Sequence, residues 1–316
     1  MTEILDDSVR PLRMPDATDL IARTLAEDLG VTSSRLLDRV AHDVDLLMRD
    51  ATTSAVVPPG AWFSGVVRAR EACTVCGLPV VAQTWLLLGE AAGFEDPVEF
   101  HPLVAEGSRV EAGTAVGEVE GPAWTVLAGE RSALDLLMIL SGIATVTAKW
   151  QAEAGPDLKV VDTRKTLPGL RELSKYAVMV GGGTNHRKGL WDMVLVKDNH
   201  IRHAGGISAA VIAARDAFLG LEIEVEADTV EQAREAAAAG ADFVLLDNMD
   251  DEMTAQAVKA VREIAERGGR AVSTEASGGI TFDRLSGLAL TGVDRVSTSA
   301  LTLAQPVDFG LDEVDG

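Results

Sequence analysis

The stretch LEIEVEADTVEQAREAAAAGADFVLLD, residues 221–247, decides the fold. Its two ends, 221–228 and 241–247, are short apolar runs of strand length, and the alanine-rich segment between them reads as a helix stopped by Gly240. A strand, a helix and a strand at this spacing make two parallel strands joined by a crossover. The first run reaches Glu226 and the second closes on Asp247.

The same alternation extends both ways. Strand-like runs occur at LKVVDT (158–163), DMVLVKD (192–198), RAVSTEA (270–276) and VDRVSTSA (293–300), with a further good helix at 253–269. Near-continuous apolar strands alternating with helices imply a parallel sheet covered on both faces. The residues at the strand ends favour a barrel over an open doubly wound sheet. Arg164 and Lys165 follow the first run, Lys197 ends the second, and then come Glu226, Asp247, Ser277 with Gly278 and Gly279, and Ser299. In a barrel those ends converge on one mouth. A doubly wound sheet would instead carry a glycine fingerprint after its first strand, and GGGT at 181–184 has neither that place nor that spacing.

Upstream, GERSALDLLMILSGIATVTAKW (129–150) reads as a long apolar helix. Before it come a helix over 17–29 behind Asp16, a second over 34–48, and short strands with glycine turns to about 129. The segment 104–121 suggests a small β half-barrel. It has no lysine for a prosthetic group, which excludes a lipoyl-type carrier. The expected organisation is an N-terminal α/β sandwich-like domain (1–129) and an open, TIM-like β/α barrel (130–302), with the tail 303–316 packing back on the first domain.

The chain has 316 residues, 47% of them hydrophobic, and a formal net charge of -21. Such a surface repels nucleic acid and anionic membrane, so neither is expected as a partner. No run of 18 apolar residues occurs and the N-terminus is acidic, which predicts a cytoplasmic protein. Cys73 and Cys76 form a lone CxxC in a strand-like context and read as structural thiols.

Against this acidity, residues 159–203 hold nine Lys or Arg against four acids, and three of the five histidines. Arg164, Lys165, His186, Arg187 and Lys197, gathered at one mouth, suit a multiply anionic ligand. Arg171, Lys175 and Lys188 read as helix or loop surface. Glu226 and Asp247 at neighbouring strand ends could hold Mg²⁺ or orient sugar hydroxyls. SGGI (277–280) and STSAL (297–301) follow the last two strands, where barrels commonly bind phosphate.

Taken in order, EDLG (27–30), GERSAL (129–134), DTRKTLPGLR (162–171), GGGTNHRKGL (181–190), KDNHI (197–201), EVEAD (224–228), LLDN (245–248) and EASGGI (275–280) resemble the quinolinate phosphoribosyltransferase family. The resemblance covers most of the chain. It implies phosphoribosyl transfer from phosphoribosyl pyrophosphate to quinolinate in NAD biosynthesis, with loss of pyrophosphate and CO₂, on Mg²⁺, in a homodimer or larger assembly. By the same resemblance Arg131 reaches the neighbouring subunit's site, while Thr163, Arg164, Lys165, His186, Arg187 and Lys197 contact the dicarboxylate or the pyrophosphate. Lys165, Lys197, Glu226 and Asp247 would be catalytic, the two acids serving ribose and metal. Gly278, Gly279 and Ile280 with Ser299, Ala300 and Leu301 would take the 5′-phosphate. The chain departs from the family pattern at the added segment 31–48, at Asp135 and Ser299, where Asn and Gly are common, and at Thr184. The rivals are a phosphoribosyltransferase for a monocarboxylate such as nicotinate, and a Schiff-base aldolase using Lys197.

Overall fold

A computed structural model describes residues 13–38, 45–93 and 96–314. In chain order the elements are α1 (Thr18–Leu29), α2 (Ser33–Leu37), α3 (Ala51–Val56), β1 (Trp62–Ala69), β2 (Cys73–Thr74), α4 (Leu78–Ala92), β3 (Glu99–Pro102), β4 (Arg109–Val110), β5 (Ala115–Pro122) and α5 (Ala123–Ala154). They continue with β6 (Lys159–Val161), α6 (Arg171–Val180), β7 (Val194–Val196), α7 (Asp198–Ala204), α8 (Ile207–Ala217), β8 (Ile223–Ala227), α9 (Val230–Ala239), β9 (Phe243–Asp247), α10 (Asp251–Gly268), β10 (Ser273–Ser277), α11 (Leu285–Thr291), β11 (Arg295–Ser297) and β12 (Phe309–Glu313). The chain divides into two compact units. One is Met1–Thr145 with Pro168–Gly181 and Ala304–Gly316, the other Val146–Leu167 with Gly182–Leu303. The boundary expected at 129/130 therefore falls inside α5, and the short piece carrying α6 belongs to the first unit.

In the first unit, α1 buries Ile21, Leu25 and Leu29 on one face, and the Asp16 carboxylate accepts the Thr18 N–H at 2.9 Å near its start. The single helix expected over 34–48 is not formed. α2 ends where Asp38 turns extended (ψ 99), residues 39–44 lie outside the described residues, and Leu46–Arg49 is a 3₁₀ turn. Asp50 then starts a fresh helix, its carboxylate accepting the Thr52 and Thr53 N–H groups at 3.1 and 3.0 Å.

The half-barrel expected over 104–121 is replaced by part of an antiparallel sheet of order β12-β1-β5-β3, with β2 and β4 paired separately. Trp85 and Val81 of α4 and Leu134 and Leu137 of α5 share a buried core with Phe63, Val67, Val116 and Val119. By length and composition α5 could cross a membrane, but 61% of its most apolar window is buried, as in a core helix. The C-terminal tail is tied down by β12, paired with β1 from Gly65↔Glu313 to Ala69↔Phe309. Lys175, expected at the surface, is only 2% exposed within α6.

The second unit is built on six parallel strands in the order β6-β11-β10-β9-β8-β7. Each strand from β7 to β11 pairs with the next, and β11 pairs with β6. Among the described residues, no ladder joins β6 to β7, so the barrel stays open there, with one bridge from Val161 to Thr184 on that side. Because strand side chains alternate, Glu224 and Glu226, Phe243, Leu245 and Asp247, Glu275 and Ser277, and Arg295 and Ser297 share the inner face. The runs that look like half-exposed alternation are barrel strands whose charges point inward.

Candidate active site

The C-terminal ends of these strands surround a cavity of about 180 Å³ lined by Thr163, Arg164, Lys165, His186, Arg187, Leu195, Lys197, Leu245, Glu275, Ser277 and Ser297. All five bases singled out from the sequence are brought together there. Arg131 is not one of the lining residues. It stands on α5 in the first unit, its side chain 58% exposed, paired with Asp135 at 3.3 Å.

Local hydrogen bonds explain how the bases are held. After β6, the Thr163 hydroxyl accepts the Lys165 N–H at 3.0 Å, and the Lys165 carbonyl accepts the Thr302 hydroxyl at 2.7 Å. Buried Asp162 accepts the His186 N–H at 2.9 Å, which seats the loop carrying His186 and Arg187. Arg187 donates to the Met193 carbonyl at 3.3 Å. Burial, and then the neighbouring charge of Arg164, lowers the Arg187 pKa.

Lys197 follows β7 at the start of α7, and its Nζ donates to Glu226 Oε2 at 2.8 Å. Glu226, Asp228 and Asp247 place one carboxylate oxygen each within 4.8 Å of one another. The Asp247 carboxyl is raised above its usual range, chiefly by burial and next by the Glu226 charge. Asn248 beside it is the one non-glycine with positive φ (55°) among the described residues, and its side-chain N–H donates to Asp247 at 2.6 Å.

Ser277 ends β10, and Gly278 and Gly279 both take positive φ (83° and 59°). An added Cβ at Gly278 would collide with the Asn248 side chain, so the tight turn demands glycine. Ile280 follows directly. Across the rim the Ser277 and Ser297 hydroxyls are 3.2 Å apart. Ser299, Ala300 and Leu301 form a turn after β11, with the Leu303 N–H bonded to the Ser299 carbonyl at 3.1 Å. Leu301 is fully buried, so it could offer a ligand only its backbone. None of these six residues lines the cavity itself.

Beneath the bases lies a group that sequence reasoning missed. Glu224 and Glu275, both 0% exposed, and Arg295 form a buried cluster with His186. The Glu275 carboxyl is pushed up to about 7, first by burial and then by the Glu224 charge. Burial opposes ionisation of Glu224 too, but the hydrogen bond from His186 and the Arg295 charge outweigh it and hold that carboxyl low. The available signal was the period of two: each of these residues stands two positions before a rim residue, Glu226, Ser277 or Ser297.

The basic pocket on an open parallel barrel agrees with comparisons to known proteins. Two family models match consecutive parts of the chain, the quinolinate phosphoribosyl transferase N-terminal domain over residues 50–141 and its C-terminal domain over 143–312. The chain belongs to the quinolinate phosphoribosyltransferase family. This phosphoribosyltransferase is 39% identical over 298 residues to a carboxylating nicotinate-nucleotide pyrophosphorylase of Mycobacterium leprae, covering 94% of this chain and 96% of that one. It is 44% identical over 217 residues to the Homo sapiens protein of the same name, covering 66% and 71%. The solved structure of NadC from Streptococcus pyogenes superposes with a TM-score of 0.81 at 33% identity, over 98% of this chain and 100% of that one.

Proposed function

We infer that quinolinate and phosphoribosyl pyrophosphate meet in the basic pocket of the second unit. As a quinolinate phosphoribosyltransferase, the chain joins the pyridine nitrogen to the anomeric carbon as pyrophosphate leaves. The carboxylate next to that nitrogen departs as CO₂ and is replaced by a proton. The observation that carries the reading is the convergence of Arg164, Lys165, His186, Arg187 and Lys197 on one cavity in a chain of net charge -21. A dianionic acid and a pyrophosphate need such a field, and the rest of the surface opposes them.

The roles follow from position. Arg164 and Arg187 offer planar forks that match carboxylates, and Lys165, next to Arg164 after β6, offers a point charge. Lys197, paired with Glu226 while no anion is present, is placed to turn toward departing pyrophosphate. Glu226 and Asp247 face the rim, where their charge can oppose the positive charge that develops at the anomeric carbon. Glycines 278 and 279 leave backbone N–H groups open to a 5′-phosphate, with the turn at 299–301 beside them.

The three clustered carboxylates of Glu226, Asp228 and Asp247 suit a hard cation. Mg²⁺ held there would shield the pyrophosphate and ease its departure. The family resemblance further supports a cytoplasmic homodimer or larger assembly in which Arg131 serves a neighbouring site.

The test is formation of nicotinate mononucleotide from quinolinate and phosphoribosyl pyrophosphate, with and without Mg²⁺, with nicotinate as the control acceptor. Quinolinate turnover that depends on Mg²⁺ is expected. Turnover of nicotinate without quinolinate would overturn the dicarboxylate subsite.

A further inference from the structure

His186 lines the pocket, yet both of its ring nitrogens are engaged from within the protein. Nε2 lies 2.8 Å from Glu224 Oε2 and 3.7 Å from Glu275 Oε1. Nδ1 accepts the Arg187 backbone N–H at 2.7 Å. Nε2 thus faces the two carboxylates and Nδ1 the Arg187 backbone, which fixes the orientation of the ring.

Arg295 holds this arrangement from below. Its Nη2 lies 2.9 Å from Glu224 Oε1 and its Nε 2.5 Å from Glu275 Oε2, while the guanidinium carbon is 3.8 Å from the centre of the Phe243 ring. The side chain is 12% exposed and both carboxylates are at 0%. Take Arg295 away and two buried carboxylates would face each other with only an imidazole between them. His186, Glu224 and Glu275 could by spacing alone hold a cation, but Arg295 already supplies the positive charge, hydrogen-bonded to Glu224 and in ion-pair contact with Glu275.

We infer that Arg295 is a positioning residue for acceptor binding. It fixes Glu224 and Glu275, Glu224 fixes the His186 ring, and that ring sets the backbone of Arg187 and so the point at which its guanidinium meets the dicarboxylate. This rests on reading the pocket as the quinolinate subsite. It assigns to a strand residue that touches no substrate a share of acceptor specificity.

The experiment compares the unaltered protein with Arg295→Met, Arg295→Lys and Arg187→Ala in steady-state kinetics, varying quinolinate and phosphoribosyl pyrophosphate separately. Arg295→Met keeps the reach of the side chain and loses its charge. The KM for quinolinate should rise about tenfold while kcat and the KM for phosphoribosyl pyrophosphate change less than about twofold, as expected for a displaced binding group. Arg295→Lys keeps the charge but cannot bridge both acids, so its KM should fall between the two. Where Arg295→Met does not fold, the Lys variant carries the test, and an unchanged KM for quinolinate then overturns the inference. A fall in thermal stability with unchanged KM in either variant would make Arg295 merely structural and overturn it too. Arg187→Ala separates the two readings. If it raises the quinolinate KM while the Arg295 variants do not, only the positioning role fails; if it does not, the subsite itself is wrong.

Discussion

The Glu275 side chain shows how much one buried residue can govern. Its carboxyl is pushed from 4.5 to about 7 by burial and by Glu224. Below 4.5 the group is protonated in both folded and unfolded chains and adds no pH dependence. Between 4.5 and about 7 the unfolded chain releases the proton while the folded chain keeps it, so stability falls as pH rises and levels off above that window. Glu275→Gln should therefore flatten the decline of the thermal midpoint across this range. Melting curves in a pH series check it, and an unchanged slope would show that the group is already ionised. On the surface side of the site, Lys197→Ala should cost at least about a hundredfold in kcat/KM, since one charge aimed at a leaving group contributes on the order of 3 kcal/mol. Single-residue chemistry was largely readable beforehand. Arg164, Lys165, Lys197 and the two rim acids stand after apolar runs at strand ends, where charge is conspicuous, and His186 and Arg187 belong to the same basic island in an acidic chain. Glu224, Glu275 and Arg295 were hidden because charge inside a strand looks like solvent-facing alternation until the sheet is known to be covered on both faces.

Among the elements, helices and strands with strong periodicity were recoverable, and those defined by neighbours were not. α9 and α10 stand where the sequence suggests, the first stopped at Gly240 and the second capped by Asp250, whose carboxylate accepts the Met253 N–H at 2.8 Å. The helix expected over 34–48 stops at Leu37, where Asp38 turns extended, and Asp50 caps a separate helix beyond it. The start of α4 rests on a distant residue. Glu106 accepts the Gly77 and Leu78 N–H groups at 2.5 and 3.2 Å and the Tyr176 hydroxyl at 3.2 Å. Glu106→Ala should lower stability by about 1–3 kcal/mol, because it orphans two helix donors and a phenol together. Chemical denaturation measures this, and a change below about 0.5 kcal/mol would mean that water replaces the carboxylate at little cost. Gly142 is a second sensitive point. A Cβ there would strike the Gln305 backbone carbonyl, so Gly142→Ala should destabilise the seating of the C-terminal segment on α5 by about 1–3 kcal/mol.

For the whole molecule, the family's arrangement makes a specific demand. If Arg131 completes a neighbouring subunit's site, then Arg131→Ala and Lys197→Ala should each be nearly inactive alone. Mixed under conditions that allow subunits to exchange, they should regain up to about a quarter of full activity, the share of sites that draws both intact residues from different chains. Failure to regain any would argue that each chain works by itself. Arg131 does not line the cavity, so the expectation of a shared site rests only on the motif GERSAL and not on geometry within one chain.

The pairing of β12 with β1 also bears on how the protein is made. β12 leaves the ribosome more than two hundred positions after β1. Until then, β1 presents a free edge to other chains, and the first unit cannot complete its sheet while the barrel is still emerging. A nascent chain stalled before residue 304 should therefore be found associated with chaperones, however complete its barrel.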